Sequence, residues 1–366
     1  MNDGGMKYID EYRDKDLVMK LTDHIKKSAT RNYVFMEVCG GHTSAIHRFG
    51  IPSLLPGNIS LISGPGCPVC VTGTDFIDKA IAYSKKEDVI ITTFGDLIRV
   101  PGSESSLEKE KASGADIRVV LSGLDALEIA RLNPDRKVIF LGIGFETTAP
   151  GTAVTIRQAK DGGIKNFWLL SAHKVMPPAM KAIIKDGAEL DGFICPGHVA
   201  TITGSQAFKF LPEKHKLGCV ITGFEPTDIL QAILMLIRQV NSKTPDVEIQ
   251  YTRAVTVSGN TIAQRNLSEI FEHCDAHWRG FGVIPSSGLK LRKEFENFDA
   301  EKSMPVVISY HEDNPSCICG DILRGLKTPA ECSLFRIACV PENPVGACMV
   351  SNEGACNTFY KYSLDE

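Results

Sequence analysis

The sequence predicts an α/β protein: two parallel-sheet α/β domains flanking a cleft, followed by a C-terminal cysteine-rich domain. Three observations lead there. Short β-branched runs alternate with helical stretches from Arg31 to about residue 241, the pattern of strands buried on both faces of a parallel sheet. Four such units fall on either side of about residue 125. The rhythm then stops near residue 245, and the remainder holds Cys274 and six further cysteines. The expected domains are 1–124, which includes an N-terminal helix, then 125–241, then 242–366.

Each element follows from its local pattern. Apolar side chains at Tyr8, Ile9, Tyr12, Leu17, Val18, Leu21 and Ile25 predict an amphipathic helix from Tyr8 to Lys27. Strands are expected at Tyr33–Val38, Ile59–Ser63, Val89–Thr93 and Ile117–Leu121, then at Lys137–Leu141, Phe167–Ser171, Gly192–Cys195 and Cys219–Thr222. The charged run Gly102–Gly114 is expected to be a solvated, mobile excursion. A helix over Pro226–Val240 closes the second half, and Asn241–Pro245 reads as a linker.

Composition excludes several function classes. The chain has 366 residues, with 40 basic against 44 acidic ones and a net charge of −4. That leaves no basic footprint for nucleic acid and no polybasic membrane patch. No apolar run approaches the roughly 18 residues of a spanning helix, and Met1–Lys20 lacks the apolar core of a signal peptide. A cytoplasmic location is expected, where thiols stay reduced. Twelve cysteines are then more than packing needs, and clustered cysteines in that compartment point to metal binding or redox chemistry.

Open α/β sheets bind ligands beyond the carboxyl ends of their strands, so the loops there carry the candidates. Cys39-Gly-Gly-His-Thr43 follows the first strand. Its glycines permit close backbone approach, and His42 stands beside the thiol. Gly64-Pro-Gly-Cys-Pro-Val-Cys70 follows the second strand. Thiols at a helix N-terminus feel its positive end, which favours thiolate. Cys67 and Cys70 can therefore cycle as a disulfide or clamp a metal. Together with Cys39 they form a soft-metal ligand set.

After the fifth strand, Gly142-Ile-Gly-Phe-Glu-Thr-Thr148 lacks the third glycine of a dinucleotide loop. Its role is read as lining the cleft, with the Thr147 and Thr148 hydroxyls facing in and Glu146 as acid, base or orienting group. His173 and His198 are further lining candidates. Cys219 and Cys274 read as structural, as does Cys195, which is also an outside candidate for the cleft. The tail carries Cys317, Cys319, Cys332, Cys339, Cys348 and Cys356. The spacing matches neither a ferredoxin nor a zinc ribbon, yet four thiolates in a Pro/Gly-rich segment suit a [4Fe–4S] cluster or a structural zinc.

Taken together, Cys39–Thr43, Gly64–Cys70, Gly144–Pro150, Pro196-Gly-His-Val199 and the tail cysteines with Ser351-Asn-Glu-Gly-Ala-Cys356 resemble the HypD family of hydrogenase maturation proteins across essentially the whole chain. The resemblance implies two α/β domains around a cleft and a third, iron–sulfur domain with a [4Fe–4S] cluster. It also implies a metallocentre assembly scaffold rather than an enzyme. With the small partner HypC, such a scaffold would carry the Fe(CN)2CO group of [NiFe]-hydrogenase, with cyanide arriving from HypE and the hydrogenase large subunit served indirectly.

By motif match, Cys39, Cys67 and Cys70 would hold mononuclear iron or exchange disulfides. His42 and Thr43 would donate hydrogen bonds to cyanide, and Glu146 and His198 would complete the site. Cys332, Cys339, Cys348 and Cys356 are expected to hold the cluster, with Cys317 and Cys319 as a reserve pair or redox relay. Two other readings are an iron–sulfur thiol–disulfide oxidoreductase built on Cys67/Cys70 and a zinc-supported docking module.

Overall fold

The computed structural model describes residues 10–309 and 314–363. All eight expected strands form, within a few residues of the expected limits. They are β1 (Tyr33–Glu37), β2 (Ile59–Ser63), β3 (Val89–Thr93), β4 (Ile117–Val119), β5 (Lys137–Gly144), β6 (Phe167–His173), β7 (Gly192–Pro196) and β8 (Gly218–Thr222). Three more follow: β9 (Val247–Ile249), β10 (Phe271–Trp278) and β11 (Gly282–Leu291).

The strands do not divide at residue 125. One sheet has the order β2-β1-β7-β8-β9, a second the order β4-β3-β5-β6, and β10-β11 is a separate hairpin. Every neighbour pair within the two large sheets is parallel. The chain starts the first sheet, leaves after β2 to complete the second, and returns at β7. Each half of the sequence therefore supplies strands to both sheets, a mixing that local pattern cannot reveal because all parallel strands read alike.

Side-chain alternation shows why both sheets are closed to water. Phe35 of β1 and Val220 of β8 face a core that also holds Ile229, Ile233 and Ile237 of the helix Pro226–Ser242. Val138 and Phe140 of β5 face a second core, shared with Phe271 and Leu289 of the hairpin. The opposite faces of both sheets meet in one continuous apolar cluster. There Met36, Ile91, Ile139 and Ile221 pack in the same body as Trp278, Cys319 and Cys348. The cysteine-rich tail is thus built onto the same core as the sheets.

Several local expectations change. The N-terminal helix runs Lys15–Ser28, capped by the Asp14 carboxylate accepting from the Leu17 N–H at 2.8 Å. The expected start at Tyr8 lies outside the described residues. Within Gly102–Gly114 a short helix, Leu107–Ala112, forms behind a Ser106 cap and buries Leu107 completely, so this segment is an anchored turn of structure. Beyond residue 241 the chain has not left the sheet, since β9 pairs with β8 and closes its edge.

Candidate metal and thiol centre

Cys39 and the Cys67/Cys70 pair are brought together by the β1–β2 pairing, which sets Glu37 opposite Ser63. The two loops beyond are laced to each other. The Gly40 N–H donates to the Gly66 carbonyl at 3.0 Å, and the Gly64 N–H to the Glu37 carbonyl at 2.7 Å. The approach is so close that a Cβ at Gly66 would lie 2.2 Å from the Cys39 nitrogen. Cys39 caps the helix Gly40–Arg48, and Cys67 caps the short helix Pro68–Val71, its Sγ accepting from the Cys70 N–H at 3.3 Å.

The expected thiolate character is reversed. Burial pushes the Cys39 thiol up to about 12, and the nearby Glu353 carboxylate adds to the rise. Cys70 is likewise held well above the ordinary thiol range, first by burial and then by its neighbour Cys67. A helix of four residues, Pro68–Val71, offers little dipole, and desolvation of a buried anion outweighs it. Burial thus keeps Cys39 and Cys70 neutral.

The side chains beside Cys39 are committed differently from the sequence expectation. The Thr43 hydroxyl donates to the Glu37 carboxylate, and is therefore not free to donate to a cyanide nitrogen. Glu37 also accepts from the Cys39 N–H at 3.0 Å. Buried at the end of β1, its carboxyl is pushed up to about 7 by burial. His42 Nε2 lies 3.0 Å from the Gly223 carbonyl and 3.3 Å from the Thr222 carbonyl. Carbonyls only accept, so Nε2 carries the proton. Burial keeps the ring neutral, its value lowered to about 4. Nδ1 is then an acceptor, buried and without a partner, so His42 is a lone-pair donor and not the hydrogen-bond donor expected.

His198 does reach this neighbourhood, through a stack that sequence reading missed. Its ring lies 4.0 Å from Phe224, which also stacks on the His42 ring at 4.5 Å. Glu146 is buried beyond β5, accepts from the Met176 N–H at 3.0 Å and leaves its other oxygen without a partner. Burial pushes it up to about 7. No hydrogen bond or ion pair of the structure joins it to Cys39, Cys67 or Cys70. The Thr148 hydroxyl is spent on the Ile143 carbonyl at 3.1 Å, closing its own turn. His173 sits between Thr152 and Ser171, 3.2 Å from each hydroxyl, which is a structural role.

The tail cysteines regroup. Cys348, expected among four cluster ligands, is disulfide-bonded to Cys319. Cys317, from the reserve pair, keeps a free thiol. The charges of Cys317, Cys339 and Cys332 all act on Cys356, after burial the causes that raise its thiol. Cys317 is raised by burial and by Cys339 and Cys332 in turn. Cys317, Cys332, Cys339 and Cys356 are free thiols, and the charges of the first three all reach the fourth. Among the described residues no three potential ligands yet stand in metal-binding geometry, so these are neighbours and not a closed coordination shell. Alternation decides the exchange: one residue separates Cys317 from Cys319, and the helix Cys319–Leu323 turns the second thiol toward Cys348.

The two thiol groups also meet. The charge of Cys356 acts on Cys70. Glu353, from the loop before Cys356, packs so tightly on the Cys39 loop that a Cβ at Gly40 would lie 2.5 Å from its Cβ. That loop is pinned by the Ser351 hydroxyl donating to Asp96 at 2.8 Å. Glu353 and Glu37 were both overlooked in the sequence. A glutamate inside the otherwise apolar run Tyr33–Val38 was the available signal for the second. Cys195 and Cys219, read as structural, are bonded across β7 and β8. Cys195 therefore leaves the list of cleft thiols, and two of the pairs expected to be reduced are oxidised.

Comparison with known proteins gives the family. The HypD family model, described as "Hydrogenase formation hypA family", matches residues 16–363. The hydrogenase maturation factor HypD of Rhizobium leguminosarum is 48% identical, over 98% of this chain and 96% of its own. That of Cupriavidus necator is 46% identical over 98% and 97%, and that of Escherichia coli 42% identical over 99% of each. The chain belongs to the HypD family of hydrogenase maturation factors.

Proposed function

We propose that this protein, with the small partner HypC, is the scaffold on which the Fe(CN)2CO group of [NiFe]-hydrogenase is assembled before transfer toward the large subunit, HypE donating cyanide. The observation that carries the reading is the packing of the two cysteine-bearing regions on each other: the helix Ala355–Tyr362, which holds Cys356, lies against the helix Gly40–Arg48 behind Cys39, and the turn Ala347–Met349 lies against Pro68–Val71, which holds Cys70. Iron and its diatomic ligands are cargo here. Cys39, Cys67 and Cys70 offer soft donors for iron, and the His42 Nδ1 lone pair is an additional donor within the same helix.

The tail donor set, Cys317, Cys332, Cys339 and Cys356, suits a [4Fe–4S] cluster. Bound there, such a cluster supplies single electrons at a potential set by its surroundings. The chain's own contribution is to hold neutral, buried thiols that release protons only when a cation arrives, and to keep Glu37 hydrogen-bonded to the Cys39 backbone as that happens.

Anaerobic copurification with HypC, followed by infrared spectroscopy, tests the reading. Cyanide and CO stretching bands are expected in the wild-type complex and absent from Cys39→Ala. Bands that persist unchanged in that variant overturn the assignment of Cys39 as an iron ligand. A brown protein with turnover on disulfide substrates and no bands supports the oxidoreductase instead.

A further inference from the structure

A cavity of about 690 Å³ opens on the tail, away from the Cys39 loop. Its lining includes Cys317 and Cys319, together with Gly346, Ser103, Pro344 and Arg279. Cys348 is not part of the lining and is fully buried. The cavity thus reaches the Cys319–Cys348 disulfide from one side only. Its floor is open because position 346 is glycine: a Cβ there would stand 2.6 Å from the Cys317 Sγ and 3.9 Å from the Cys319 Cβ. Volumes of this size admit small molecules. The wall's two charged side chains, Arg279 and Asp321, are of opposite sign, which favours an uncharged occupant over an anion or a cation.

We propose that this cavity is the port through which a small dithiol reductant reaches the Cys319–Cys348 disulfide. The incoming thiol gives its proton to solvent, and its sulfur attacks the Sγ of Cys319, the one residue of the pair that lines the cavity. The Cys319–Cys348 bond breaks, and Cys348 leaves as thiolate and takes a proton from solvent. The second thiol of the reductant then loses its proton to solvent and attacks the mixed disulfide, displacing Cys319 as thiolate, which takes a proton from solvent as the reductant closes its own disulfide. Two electrons pass from the dithiol to the protein, and no further reactant is consumed. The purpose of those electrons, feeding the thiol groups beside the cavity, rests on the maturation reading. The port itself does not.

The test uses the full chain, oxidised, without partner or added iron. It is treated anaerobically with dithiothreitol, quenched with an alkylating agent and mapped by peptide mass spectrometry. Cys319 and Cys348 are expected to become alkylated together. Filling the cavity from two sides, with Ser103→Trp and with Pro344→Trp, should slow this by about tenfold or more, since exchange rates follow access to the sulfur. Alkylation at Cys274, outside the cavity, should not change. In the unaltered protein a monothiol, 2-mercaptoethanol, should stop as a mixed disulfide on Cys319.

Unchanged rates in folded filled variants overturn the port, as does an adduct on Cys348 or the absence of a Cys319–Cys348 bond in the isolated chain. If both filled variants misfold, the position of the adduct decides alone. Because none of these readouts involves cyanide or CO bands, the port and the scaffold can fail separately.

Discussion

Cys39, Cys70, Glu37 and Glu146 share one physical condition: each is an acid placed where its anion has lost water. Desolvation raises all four, and at Cys70 it overrides the helix-start position from which the sequence predicts a thiolate. The carboxyls make this measurable. Glu146 moves from an ordinary 4.5 to about 7. Between those values the folded protein keeps a proton that the unfolded chain releases. Its stabilising contribution is therefore complete below pH 4.5 and is lost as pH rises toward 7, an effect of about 3 kcal/mol. Glu37 acts in the same sense. His42 and His173, neutral in the fold with values lowered to about 4 and about 3, act in the opposite sense, their contribution present above pH 6.5 and lost on acidification. The wild-type pH profile is flattened by this opposition, so the variant comparison is the informative one. From pH 4.5 to 7.5, Glu146→Gln should gain about 3 kcal/mol relative to wild type in urea unfolding. A difference that stays constant with pH would contradict a buried, protonated Glu146.

At the scale of elements, the site depends on how closely two strand-end loops can approach. The Gly64–Gly66 turn lies against the backbone of Cys39, and no side chain fits at position 66. Gly57, by contrast, has open space around it. Overpacking a tight contact costs typically about 1–3 kcal/mol, and at about 2.1 cal/mol/K of unfolding entropy per residue a chain of 366 residues loses about 1.3 °C per kcal/mol. Gly66→Ala should therefore lower the melting temperature by about 1–4 °C and slow alkylation or metal uptake at Cys39 by displacing its loop. Gly57→Ala should leave both unchanged. Equal melting temperatures for the two variants would refute the close approach. The same scale explains the Cys348 correction. A cysteine in the turn Ala347–Met349 and one at the start of the helix Cys319–Leu323 meet only because those short elements pack side by side in the shared core.

For the whole molecule, the interleaved topology makes the two sheets one folding problem. β1 pairs with β7, 155 residues or more along the chain, before the first sheet is complete. A fragment cut at the expected boundary, 1–124, would hold β1 to β4: two strands of the five-stranded sheet and two of the four-stranded one. It would leave both sheets with unpaired edges and half their cores exposed. Such a fragment should show no cooperative urea transition, whereas the full chain should. Cooperative unfolding of 1–124 alone would argue for the sequential division.

The sequence by itself determined most of the elements and where the cysteines lie on them. Eight of the nine strands of the two parallel sheets, the loops holding Cys39, Cys67 and Cys70, and a cysteine-dense tail were legible, because strand burial, turn glycines and thiol density are local properties, whereas β9 is too short to stand out. What only tertiary structure decided is partnership. Pairing of β2 through β1 with β7, the bond between Cys319 and Cys348, the stack of His198 on Phe224, and the direction of every thiol shift all depend on which residues distant in sequence exclude water from each other. Burial is a property of the assembled core, and here it turned Cys70, expected to be a reactive anion, into a protonated group.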